Sequence, residues 1–149
     1  MAISHTNAIR YKYTSNGVAD QKEITVTESG SAEVSISETF GAISGANNTT
    51  ALTTVEGFEF ATASSALSIY IRLDNCDGAL AGGASGADAM CTLKDGVPYV
   101  WSKNGGVNFP TGATNVMVDA TAKLIVTPSA NADGAVPVLT VKVLYDSTP

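Results

Sequence analysis

The stretch from Leu139 to Asp146 limits the fold most sharply. Leu139, Val141, Val143 and Tyr145 alternate with Thr140, Lys142, Leu144 and Asp146. Successive side chains of an extended chain point to opposite faces, so this two-residue period predicts a half-buried β-strand, apolar toward a core and polar toward water. A helix needs a period of 3.6, and no stretch of ten residues carries one convincingly. Only Ser147, Thr148 and Pro149 follow. The sheet completed by this strand is therefore expected to be the working part, with no tail or second module after it.

Similar signals recur every eight to twelve residues, the spacing of a sandwich or barrel. Ile3 to Tyr13 reads as a first strand closed by Ser15-Asn16-Gly17. Lys22 to Glu28 and Ala32 to Phe40 read as two strands of one hairpin, turned at Glu28-Ser29-Gly30-Ser31. Gly41 to Thr50 reads as a loop. Leu52 to Ala61 alternates around Gly57, a candidate bulge. In Ala66 to Asp74, Leu67, Ile69, Ile71 and Leu73 face one way, and Ser68, Tyr70 and Arg72 the other. Asn75 to Ala89, with Gly82-Gly83-Ala84-Ser85-Gly86-Ala87, reads as an irregular exposed loop. Met90 to Leu93 and Val97 to Ser102 read as a hairpin around Lys94-Asp95-Gly96. Val116 to Val118 and Lys123 to Thr127 are strands, and Ser129 to Gly134 turns into the last one. The expectation is an all-β, single-domain antiparallel β-sandwich over residues 1–149, jelly-roll or Ig-like, with eight to nine strands. Its expected core is Ile24, Val26, Val34, Ile36, Phe58, Phe60, Leu67, Ile69, Ile71, Trp101, Leu124, Val126, Leu139, Val141 and Val143.

At 149 residues a single core can bury roughly 70% of the unfolded surface without a staple. Charged residues make up 15% of the chain, against a usual share of about 25%. Low charge is the trend of interface cores, so a surface covered by partners is favoured modestly over an ordinary one. The net charge is −6, and Arg10, Lys12, Lys22, Arg72, Lys94, Lys103, Lys123 and Lys142 are scattered. Without a basic stripe to displace counterions from phosphates, nucleic acid is not an expected partner. No apolar run is long enough for a bilayer and no basic cluster flanks one, so no membrane is expected. The start, Met1-Ala2-Ile3-Ser4-His5-Thr6-Asn7, lacks the basic and apolar regions of a signal peptide, which predicts cytoplasmic synthesis and reduced thiols. Cys76 and Cys91 are then free and partly buried, or a disulfide formed after release from the cell.

No catalytic constellation stands out. A Ser-His-Asp arrangement would have to use His5, the single histidine, close to a terminus. Glu33, Glu56 and Glu59 read as solvated strand glutamates rather than a glycosidase pair. Asp74, Asp77 and Asp88 border the glycine-rich segment and offer oxygen ligands for Ca²⁺, but Asp74-Asn75-Cys76-Asp77-Gly78 is not an EF-hand and turn formation explains it as well. The glycine run lacks the Lys-Ser/Thr of a phosphate loop. No enzyme, cofactor or metal is expected. Tyr11, Tyr13, Tyr70, Tyr99 and Trp101 could stack on sugars, yet anchoring an interface is the commoner use of such residues.

Several stretches, in this order, resemble small phage-encoded β-proteins. They are Ser4-His5-Thr6, Glu33-Val34-Ser35-Ile36-Ser37-Glu38-Thr39, Leu67-Ser68-Ile69-Tyr70-Ile71, Leu93-Lys94-Asp95-Gly96-Val97-Pro98-Tyr99-Val100-Trp101, Lys123-Leu124-Ile125-Val126-Thr127 and the ending Lys142-Val143-Leu144-Tyr145-Asp146-Ser147-Thr148-Pro149. The set is similar to a family among the head and virion structural genes of tailed phages. The chain departs from it by a longer segment at Asn75 to Ala89 and an insertion around Thr111 to Ala122. The resemblance implies a capsid decoration, or cement, protein. Such a protein is made in the host cytoplasm, binds the outer head surface, bridges capsomers of the major capsid protein and carries no catalytic residues. It also implies self-association, with a trimer matching local three-fold axes. Another virion role (head fibre or tail protein) and a carbohydrate-binding sandwich with a Tyr99–Trp101 platform are the alternatives. Under the first reading, contacts to capsid or sister subunits are expected at strand edges, in the segment Met1 to Tyr13 and in the loops, with Ile3, His5, Tyr11, Tyr13, Tyr70, Tyr99, Trp101 and Tyr145 as candidates.

Overall fold

Two-residue alternation becomes strand along most of the chain. The structure, a computed structural model, describes residues 1–40, 53–56, 58–61, 64–83, 88–106, 117, 122–129 and 136–147. Among the described residues ten strands, rather than the eight to nine expected, follow one another: β1 (Ile3–Ser15), β2 (Val18–Gly30), β3 (Ala32–Thr39), β4 (Thr53–Val55), β5 (Ala66–Asp74), β6 (Gly78–Gly83), β7 (Asp88–Leu93), β8 (Tyr99–Ser102), β9 (Lys123–Pro128) and β10 (Val138–Tyr145). Among the described residues there is no helix.

Eight of these strands form the body, as two four-stranded antiparallel sheets ordered β3-β10-β5-β8 and β4-β9-β6-β7. The pairings nest: β3 with β10, β4 with β9, β5 with β8, and β6 with β7. A long hairpin rolled into two sheets in this way is a jelly roll. Between the sheets lie Ile69, Ile71, Leu73, Leu139, Val141 and Val143 from one side, and Val55, Leu80, Leu93, Leu124 and Val126 from the other. All are at most 2% exposed, and each such side chain contributes about 1.5–3 kcal/mol by leaving water. The strand β10 is interior, paired on both sides. Its last apolar residue, Tyr145, meets Phe58 edge-on at 5.8 Å and Phe60 at 5.1 Å between ring centres.

Several sequence expectations change. Lys22 to Glu28 does not form a hairpin with Ala32 to Phe40. Instead β2 pairs with β1 along its whole length and β3 pairs with β10. The tight turn lies earlier, at Asn16 (φ 50°) and Gly17 (φ 78°), where the left-handed backbone suits the twist of a two-residue hairpin. Met90 to Leu93 and Val97 to Ser102 are not a hairpin either, because β7 and β8 belong to different sheets. The Lys94-Asp95-Gly96 segment carries the chain across, pinned by the Gly96 N–H to Leu73 O at 2.8 Å.

Asn75 to Ala89 is not one loop. Gly78–Gly83 is β6, an interior strand between β9 and β7. Its glycines are there for closeness. A Cβ at Gly78 would lie 2.6 Å from Leu73 Cδ2 and 2.9 Å from Thr127 O, and one at Gly82 would lie 2.8 Å from Met90 Sδ. In the core list, Ile24 is 64% exposed, while Val26, Val34 and Ile36 are half-buried. Leu67 is buried but outside the inter-sheet cluster. A register shift at Leu144/Tyr145 sets Ala66, rather than Leu67, opposite Tyr145 and in the core. The loop at residues 41–50, the Gly57 bulge, the run Ala84 to Ala87, Val116 and Val118, and most of the turn 129–134 lie outside the described residues.

Candidate interaction surface

The strands β1 and β2 form a sheet of their own, a hairpin arm in register from Ile3↔Gly30 to Ser15↔Val18. Alternation gives it two faces. One carries Ser4, Thr6, Ala8, Arg10 and Lys12 with their partners Ser29, Thr27, Thr25, Glu23 and Gln21. This face is held by cross-strand polar pairs, Thr6–Thr27 at 3.0 Å and Arg10–Glu23 at 2.8 Å. The other carries Ile3, His5, Asn7, Ile9, Tyr11 and Tyr13 opposite Gly30, Glu28, Val26, Ile24, Lys22 and Asp20.

The root of this second face lies on the outer side of the β3-β10-β5-β8 sheet. His5 Nε2 meets Glu33 Oε2 at 2.5 Å, and Nδ1 meets Ser68 Oγ at 3.2 Å. Asn7 Nδ2 donates to Ser102 Oγ. The Glu28 carboxylate, only 4% exposed, accepts the Asn104 backbone N–H at 2.7 Å and Asn104 Nδ2 at 2.9 Å. Gly30 permits the approach: a Cβ there would lie 2.7 Å from Tyr145 O and 3.1 Å from Leu67 Cδ1. Leu144, between Glu33 and Ser68 in register, is fully buried though it lies outside the inter-sheet core. The arm therefore covers the face that alternation alone assigns to water.

His5 touches β3 and β5, and Asn7 touches β8, the sheet's edge. The arm thus crosses the sheet and runs off it. Every residue from Ala8 to Thr25 is exposed, a projection of about 25 Å at the strand rise of about 3.3 Å per residue. Its bare face holds Ile9 (66% exposed), Tyr11 (65%), Tyr13 (36%), Val18 (68%) and Ile24 (64%). Tyr11 and Tyr13 lie side by side with ring centres 5.6 Å apart. At the tip the Tyr13 hydroxyl donates to Asp20 Oδ2 at 2.7 Å. That bond, with the Gln21 N–H, holds the Asp20 carboxyl below its ordinary range, and it raises the Tyr13 phenol.

Of the candidate contact residues, Tyr11 and Tyr13 are on this bare face, and Ile3 and His5 are at its root. Tyr70 is half-buried beside the root, lining a shallow groove with His5, Glu33 and Lys142. Trp101 (6% exposed) and Tyr145 (7%) are core residues, and Tyr99 packs against the core. A Tyr99–Trp101 sugar platform is therefore not formed, because stacking needs open ring faces. Ile9, Val18 and Ile24, which share the exposed face with Tyr11 and Tyr13, are not among the sequence candidates. The signal was Asn16-Gly17 between two alternating runs, a two-residue hairpin mark.

Glu33, His5 and Ser68 form a row with the membership of a hydrolytic triad. Ser68 is 1% exposed in the middle of β5, so no substrate carbonyl can reach its hydroxyl, and the row fastens the arm instead. Asp74 and Asp77, near the glycine-rich segment, are engaged by cationic side chains and a backbone N–H. Asp74 Oδ1 accepts Arg72 at 2.7 Å, and Asp77 accepts Lys94 Nζ at 2.5 Å and the Asp95 N–H at 3.0 Å. The Asp88 side chain lies outside the described residues. Among the described residues no three His, Cys, Asp or Glu side chains gather as a metal group. Cys76 and Cys91 are free, and burial raises both thiols, which makes them poor nucleophiles. No protein-family model, no curated protein and no solved structure matches this chain.

Proposed function

We propose that this chain is a non-enzymatic virion protein of the decoration, or cement, type, binding the outer surface of a phage head and stabilising it by linking neighbouring capsomers. The observation that carries this reading is the arm. A body of eight described strands holds out a hairpin whose bare face carries two tyrosines and three aliphatic residues. Large exposed apolar faces mark interaction sites rather than free surfaces. A projecting, pre-formed hairpin binds without the ordering cost of a flexible tail, which suits a part added in many copies to an assembled shell. The order of short motifs along the chain, similar to virion structural proteins of tailed phages, supports the same reading. Its partners are then the major capsid protein and further copies of itself, and its site of action is the outside of the head after synthesis in the host cytoplasm.

The test is addition of purified protein to heads that lack it. Saturable binding with a gain in resistance to heat or osmotic shock is expected. A variant with residues 8–25 replaced by a short turn should keep the body's fold and lose the gain. Absence of binding by the full-length protein sinks the reading. Deleting Met1 to Asn7 is a poorer probe, since His5 and Asn7 fasten the arm to the body.

A further inference from the structure

We propose that the bare face of the arm is a self-complementary interface, taking the arm of a second copy of this chain in antiparallel, face-to-face contact. From root to tip the face has four rows, Ile9/Ile24, Tyr11/Lys22, Tyr13/Asp20 and Ser15/Val18, the first of each pair on β1 and the second on β2. The root turns this same face onto its own body. A parallel neighbour would drive its own root into that body, so only the antiparallel arrangement leaves room. A two-fold axis across the strands, between the second and third rows, lays β1 over β1 and β2 over β2. Lys22 of each copy then lies over Asp20 of the other, Tyr11 over Tyr13, and Ile24 over Val18. Both charged residues on the face find an opposite charge, twice; the tyrosines meet tyrosines and Ile24 meets Val18, while Ile9 lies over the small Ser15.

Within one copy Lys22 Nζ already sits 3.9 Å from Asp20 Oδ2, so the pair would close a ring of four alternating charges. The area also suffices. Aromatic side chains bury about 150–250 Å² each. Tyr13 has 36% of its surface left to cover and the other four about two-thirds of theirs, so the pair of arms buries on the order of 1,000 Å², the size of a weak, transient interface. An interface of that size fits a reversible dimer with a Kd on the order of micromolar. The symmetry is two-fold, in place of the three-fold ring that the family resemblance implies. The inference concerns the free protein and needs no capsid; on a head it would tie one body to the next.

The experiment is sedimentation velocity over a micromolar concentration series. Wild type should pass from monomer to dimer. Asp20→Lys and Lys22→Asp should each weaken the dimer about tenfold or more, because each sets like charges over one another. The double variant D20K/K22D should restore it, and so should an equimolar mixture of the two single variants. Circular dichroism checks that each variant is folded, and both positions are exposed surface. A wild type that stays monomeric throughout overturns the proposal, and so does a dimer indifferent to both single reversals. A monomer that still binds heads would leave the decoration reading standing and give the arm's face to the capsid, whereas a charge-sensitive dimer that ignores heads would do the reverse.

Discussion

Glu28 is the side chain whose loss should detach the arm. Its carboxylate is 4% exposed and takes two hydrogen bonds from Asn104, at 2.7 Å from the backbone and 2.9 Å from the side chain. Hydrogen bonds to a charged acceptor contribute about 1.5–3 kcal/mol each, and holding a carboxylate out of water cancels part of that. Replacing Glu28 by Ala removes both bonds and leaves the Asn104 N–H without its partner. The net cost should be about 2–4 kcal/mol. Replacing it by Gln should cost about 1 kcal/mol. The Asn104 amide can turn over and offer its oxygen to the introduced NH₂ group, so two neutral bonds replace two charge-assisted ones. Denaturant melts give the global number, and hydrogen exchange gives its location. In E28A, amides of Ile3 to Asn7 and Val26 to Gly30 should lose protection while those of β5 and β10 keep theirs. An E28A variant within about 0.5 kcal/mol of wild type, or one that loses protection evenly over the body, would refute this account of the root.

Three further outcomes follow from the same geometry. Gly78→Ala should destabilise by about 1–2 kcal/mol in thermal melts, since the new methyl meets Leu73 Cδ2 at 2.6 Å and the Thr127 carbonyl at 2.9 Å and this overpacking exceeds the backbone-entropy gain; a neutral variant would mean that β6 can shift. Tyr99→Phe should stabilise by up to about 1 kcal/mol, because the buried Tyr99 hydroxyl has no hydrogen-bond partner among the described residues and burial strongly disfavours its ionised form; a loss of stability would reveal a partner. The tip bond between Tyr13 and Asp20 should hold only in a pH window. Asp20's lowered carboxyl gives a contribution present above the ordinary carboxylate range and lost as pH falls through the folded value, and Tyr13's raised phenol gives one present below the ordinary phenol range and lost as pH rises through the folded value. NMR titration of Tyr13 should show its pKa dropping back in D20N, and no change there would remove the bond.

The strands that alternate were legible: β5, β9 and β10 stand where Leu67 to Leu73, Leu124 to Val126 and Leu139 to Val143 put them. Strand β6 was not, because Gly and Ala have low β-propensity and the constraint at Gly78 is a contact with residues on other strands. Pairing was also hidden. The stretch Glu28 to Ser31 looks like a turn, yet the Ser31 N–H goes to Tyr145 O and Asp146 Oδ1, and those acceptors lie more than a hundred residues away in sequence. Ile24 shows the limit of patterning. Its period marks it as inward-facing, and it does face inward with respect to the arm, but the arm has outrun the body that would cover it. For the same reason Tyr11 and Tyr13 are contact candidates from the sequence while Ile9, Val18 and Ile24, on the same exposed face, are not: aromatic type is visible in a sequence, and the lack of a second layer among the described residues is not.

The distribution of polarity along the arm argues that its bare face is selected rather than incidental. Where the inner face is covered, the chain places beside Ile3 and Val26 three polar residues, His5, Asn7 and Glu28, each of which needs a matched partner to be buried without penalty. Where that face is uncovered, it places Ile9, Tyr11, Tyr13, Val18 and Ile24. A sequence tuned only for the stability of one copy has no use for five large apolar side chains in the projection, where only Ser15, Asp20 and Lys22 on that face are polar. Matched hydrogen bonds at the root fix the angle at which the arm leaves the sheet, since His5, Asn7 and Glu28 must each meet a particular atom. Local rules are broken in proteins chiefly where function requires it. Here the broken rule is an apolar stripe held away from its own core, at a set angle, and left uncovered by every described residue of the chain.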